Sequence, residues 1–69
     1  MSARRHLAAN IRKRRLALGW SQEELADRTG VHRTYLSGLE RAARNPSLDV
    51  LERIAAALQV PLGELVASH

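Results

Sequence analysis

Sixty-nine residues, 45% hydrophobic and 26% charged, suit one small folded domain, taken here as residues 1–69, and exclude a disordered chain or a large core. With no cysteine there is neither a disulfide framework nor a thiolate zinc site; His6, His32 and His69 stand in separate segments, so no metal is expected; and no apolar run nears the ~20 residues that span a bilayer. The net charge of +4, a pI near 11.1 and the near-exclusive use of arginine over lysine point instead to a polyanion as partner.

Leu and Ala recur at helical spacing, and Trp20 and Tyr35 are the only aromatics, which argues for an all-α fold. Residues 4–18 place Leu7, Ile11 and Leu18 on one face, with Arg12, Lys13 and Arg15 elsewhere, an amphipathic helix that stops at Gly19. This first block carries Arg4, Arg5, Arg12, Lys13, Arg14 and Arg15 with no acid. Its start, MSARRHLAAN, lacks the apolar core of a signal peptide, so a cytoplasmic protein is expected.

Ser21-Gln22-Glu23-Glu24 reads as a capping box opening a second helix, with Leu25 and Ala26 inward and Gly30 as its stop. After a short bend, His32 to Glu40 forms a third helix with Leu36 and Leu39 facing the core and Val31 packing just before it. The spacing is that of a tight helix-turn-helix. Ser47 caps a fourth helix over Leu48 to Leu58, where Leu48, Leu51, Ala55 and Leu58 make one stripe, widened by Val50 and Ile54. Val60 and Pro61 then open a last turn of helix through Val66, with Pro61 at its first position. In this last third, Arg53 faces Asp49, Glu52 and Glu64, so the two ends of the chain differ in charge.

The residues Gly19-x-Ser21-Gln22-x-x-Leu25-Ala26, Gly30-Val31, Leu36, Leu39-Glu40-Arg41, Asn45-Pro46-Ser47-Leu48, Leu51 and Ala55-x-x-Leu58 together resemble the lambda-repressor-like helix-turn-helix family. That family includes phage Cro and repressor proteins and restriction-modification controller proteins. The resemblance implies a compact five-helix domain that binds double-stranded DNA, with helices 2 and 3 as the helix-turn-helix. It implies that the third helix enters the major groove, where His32, Arg33, Thr34 and Ser37 read base edges. Arg33 is the leading reader, because a guanidinium can donate twice to guanine. Gln22, Tyr35, Arg41, Arg44 and Asn45 fall where the family meets phosphate, Gln22 also bracing the reading helix, and Arg15 with Glu40 where it places a structural ion pair. On this division, Arg33→Ala loses selectivity and Arg44→Ala weakens all sequences alike. Two positions depart from the pattern. Gly38 stands where many relatives carry a base-reading side chain, which implies fewer bases read per half-site. Ala42 stands where relatives often have a positive-φ glycine, so either the turn is rebuilt or alanine bears strain.

Trp20 is expected in the core, and His32 to begin a helix. The charge run from Arg12 to Arg15 divides between a solvated face and the DNA. Leu62, Leu65 and Val66 form the expected homodimer contact, because one reading helix covers too few base pairs and a two-fold pair reads a palindrome. The reading is a transcriptional regulator, repressor or activator, with a controller protein as the narrower expectation. The alternative is a protein-binding module or antitoxin of the same fold, which would not need the basic first block or Arg33. An enzyme is not expected, since no nucleophile and base pair, phosphate-cradling glycine loop or H-E-x-x-H is present; nor is a cofactor, a small-molecule ligand or an effector domain.

Overall fold

The computed structural model describes residues 2–67 as five helices: α1 (Ala3–Ala17), α2 (Gln22–Thr29), α3 (Arg33–Glu40), α4 (Leu48–Leu58) and α5 (Leu62–Val66). No strand occurs among the described residues. Met1, with which the expected domain begins, and His69, one of the histidines set aside as a metal ligand, lie outside them.

Four helices start at a side chain that takes up a free first-turn amide. Ser2 Oγ accepts from Arg5 N at 3.3 Å, Ser21 Oγ from Glu24 N at 3.0 Å, and Ser47 Oγ from Val50 N at 3.2 Å. His32 does the same for α3, its Nδ1 accepting from Thr34 N at 3.1 Å, so it precedes the helix as its cap. The capping box at Ser21 has its serine arm; the Glu24 carboxylate turns one helical turn on, to Arg28 Nε at 3.0 Å. Pro61 occupies the cap position of α5 rather than its first residue.

The helix ends explain Ala42. Ala43 N donates to Gly38 O at 2.8 Å and Ala42 N to Leu39 O at 3.0 Å, the paired bonds of a Schellman turn. Such a turn needs a left-handed residue, and Ala42 supplies it with φ 59°. The turn is therefore kept, and alanine bears the strain. The same bonds close α1 around Gly19 (φ 76°) and α4 around Gln59 (φ 61°).

Ile11, Leu25, Leu36, Ile54 and Leu58 are fully buried and Leu39 and Leu65 nearly so, with Leu7, Val31 and Ala55 closing the core around them. Trp20 is half-buried against this cluster, its ring covered by the Arg28 guanidinium 4.1 Å from the ring centre.

Three expectations about burial change. Leu48 is 62% exposed and leaves the stripe of α4. Helical side chains lean toward the N-terminus, so at the first turn Leu48 points past the last layer of the core. Leu65, expected at a dimer contact, is 1% exposed and fills the core of its own chain. Arg15 extends the buried face of α1 one turn beyond Ile11.

Polar side chains of α1 tie the helices together. Asn10 Nδ2 donates to the carbonyls of Leu65 and Ala67 at 2.9 Å and of Glu64 at 3.3 Å, holding α5. Arg14 Nε donates to Leu58 O at 2.9 Å, at the end of α4. Arg12 and Lys13 remain exposed, so the charge run divides between internal bonds and surface.

Candidate nucleic-acid interface

The turn between α2 and α3 is held from within by Thr29. Its Oγ1 donates to Leu25 O at 2.8 Å and accepts from Val31 N at 3.1 Å, while Gly30 turns the chain at φ 72°. Thr29 is buried, so these bonds replace water for the amide of Val31. Thr29 is not among the expected site residues, although a threonine just before a stop glycine is placed to bond both sides of the turn.

α3 is then fixed by its inner face and its far end. Leu36 and Leu39 are sunk in the core. Glu40 accepts from Arg15 twice, Oε2 from Nε and Oε1 from Nη2, both at 2.8 Å, and Arg15 Nη1 donates to Trp20 O at 2.7 Å. Gln22 Nε2 reaches the same carboxylate at 3.4 Å, bracing the front of α2 against the end of α3. Every Arg15 nitrogen is thus engaged, and the Glu40 bond holds the guanidinium above its usual pKa against the opposing effect of burial.

What remains outside is the opposite face. Arg33, Thr34 and Arg41 are exposed and Ser37 half-buried, at the spacing that puts them on one side of an eight-residue helix. Among the described residues, the side chains of Arg33, Arg41 and Ser37 have no hydrogen-bond or ion-pair partner. Glu40, the acid at this end of α3, is neutralised by Arg15, so the exposed face is positive. His32 points its Nδ1 back into the helix cap, which leaves Nε2 as the nitrogen an outside group could meet. Tyr35, Arg44 and Asn45 gather at one edge: the Tyr35 hydroxyl donates to Asn45 O at 3.4 Å and the Arg44 guanidinium lies 5.6 Å from the Tyr35 ring centre. Leu62, Leu65 and Val66 lie on α5; Leu65 is unavailable to a partner, Leu62 is half-buried, and Val66 is 43% exposed.

No helix of the described residues is long and apolar enough to cross a membrane, and among them no three His, Cys, Asp or Glu side chains gather where a metal could be held.

The helix-turn-helix family profile HTH_3 matches residues 11–65. The chain belongs to this family. A hypothetical transcription factor of Neisseria meningitidis serogroup B is 48% identical over 60 residues, 87% of the chain, and the chain spans only 57% of that relative's length. Among solved structures, the restriction-modification controller protein C.AhdI from Aeromonas hydrophila superposes with a TM-score of 0.86 at 39% identity, covering 90% of this chain and 94% of that one. The controller protein C.Esp1396I, solved as a tetramer in complex with its natural 35 base-pair operator, superposes with a TM-score of 0.82 at 38% identity over 88% of this chain and 80% of that one.

Proposed function

We propose that this protein is a cytoplasmic, sequence-specific transcriptional regulator that lays α3 in the DNA major groove. The carrying observation is the contrast across α3. Its inner residues Leu36 and Leu39 are locked in the core, while the side chains of Arg33, Thr34 and Ser37 lie on the other side of the same rigid element with no hydrogen-bond or ion-pair partner among the described residues. A preset face loses little freedom on binding, and Arg33 can donate in a fork to guanine O6 and N7. Thr34 and Ser37 complete the reading turn, with His32 Nε2 at its front. Gln22, Tyr35, Arg41 and Asn45 take phosphates on either side, and the N-terminus of α2 beside Gln22 favours the same anion. A restriction-modification controller is the narrower reading, because C.AhdI and C.Esp1396I share this fold over nearly the whole chain.

The chain acts as a homodimer on a two-fold symmetric operator, with half-sites about 34 Å apart. Of the three α5 side chains expected there, Val66 and the half-buried Leu62 are left for that contact. The test is fluorescence anisotropy of labelled DNA from directly upstream of the protein's own gene, against a scrambled duplex, at about 50 and 200 mM salt. A preference of at least about a hundredfold, with affinity falling steeply as salt rises, is expected. Equal binding to both duplexes at both salts would count against the proposal.

A further inference from the structure

Gly38 lies one turn after Thr34 on the outward side of α3, yet it is buried. Arg44 covers it. A Cβ built on Gly38 would stand 2.8 Å from Cγ of Arg44, 3.4 Å from its Nε and 3.6 Å from its Cδ, so the arginine stem runs where a side chain of residue 38 would stand. Beyond the stem, the guanidinium reaches Tyr35, which is itself tied to the loop through Asn45 O. The Schellman bond from Ala43 N to Gly38 O fixes the point from which residue 44 departs. One glycine therefore anchors the loop through its carbonyl and seats the arginine on its bare α-carbon. Glycine is a poorer helix former than alanine, and here the missing Cβ has a use.

We infer that Arg44, seated by Gly38, completes the reading face of α3. A side chain borne by the loop takes a base edge at the place a residue-38 side chain would have reached. Arg44 is then a specificity residue and Gly38 the positioning residue for it. The inference rests on the proposal that α3 enters the major groove, and it reverses the sequence-level assignment of Arg44 to phosphate. Arg44 lies along the reading helix rather than away from it, and among the described residues its donors hold no hydrogen bond or ion pair. They are free to pair with guanine, and the Tyr35 ring limits the rotamer freedom that binding must otherwise freeze.

Selection from a randomised duplex pool defines the preferred site of the wild-type protein. Anisotropy titrations on every single-base-pair variant of that site then compare wild type, R44A, R44K, G38A and the double variant G38A/R44A, with thermal melting of each. R44A is expected to lose discrimination at one base pair per half-site by roughly 5- to 100-fold, with the ranking elsewhere kept. R44K, which keeps the charge but not the fork, loses the same discrimination. G38A melts no lower than wild type and loses it at the same base pair, and in the R44A background it adds less than about twofold. Uniform weakening of every variant by R44A, or losses by G38A and R44A at different base pairs, overturns the inference. A wild type that selects no site overturns the DNA-reading proposal along with it; a wild type that selects a site while R44A weakens evenly overturns the inference alone.

Discussion

Arg15 and Glu40 form a pair whose side chains are 8% and 2% exposed, so each is an interior charge whose counter-charge is the other. Removing one partner strands the other. Arg15→Ala or Glu40→Ala should each lower stability by about 3–5 kcal/mol, read as a fall in the urea midpoint, and an unchanged midpoint would show that water already screens the pair. The arginine side of this pair is insensitive to pH in the neutral range. A pKa raised on folding gives stability that is fully present below the unfolded value and is lost only as pH climbs past the folded one, which for Arg15 is strong alkali. The exposed arginines obey a different logic. Arg33→Ala should erase much of the preference for operator over scrambled DNA, whereas Arg41→Ala should weaken both by a similar factor and flatten the salt dependence by roughly one charge. A common loss for both variants, measured by anisotropy, would erase the distinction between reader and clamp.

At the scale of elements, the ends of the helices carry most of what can be tuned. Ala42 holds a left-handed conformation that costs an L residue about 1–2 kcal/mol, partly offset by the lower freedom of alanine in the unfolded chain. Ala42→Gly should therefore stabilise the protein, raising the melting temperature by a few degrees, and a lower one would mean that the alanine methyl packs better than the turn requires. The same ends show what could be read in advance. Ser21 and Ser47 announce their helices because a cap needs only the next three residues, and the stops at Gly19 and Gly30 are equally local. The Arg15–Glu40 pair came through family resemblance, being a contact across 25 residues that no local spacing announces. Leu48 and Leu65 were misplaced because a short helix or a first turn takes its facing from its neighbours. The bonds from Asn10 and Arg14 to distant carbonyls left no trace in the periodicity of α1, and the seat of Arg44 needed the fold to bring residue 44 back over residue 38.

For the whole molecule, charge is unevenly distributed. The exposed face of α3 is basic, while α4 and α5 carry Asp49, Glu52 and Glu64 against Arg53. A two-fold contact through α5 would keep the basic faces free for two half-sites. Val66→Asp should leave the helical spectrum intact and shift the sedimenting species from dimer to monomer, whereas Leu65→Ala should cost about 2–5 kcal/mol of stability. If the Val66 variant sediments as the wild type does, the dimer contact lies elsewhere. The hold of Asn10 on residues 64–67 has a further consequence, for synthesis. At about 5–20 residues per second, roughly 3 to 11 seconds separate the making of the two partners. Through that interval the nascent α1 lacks the α5 surface it packs against in the finished fold, so the domain cannot close until residues 64–67 have been made.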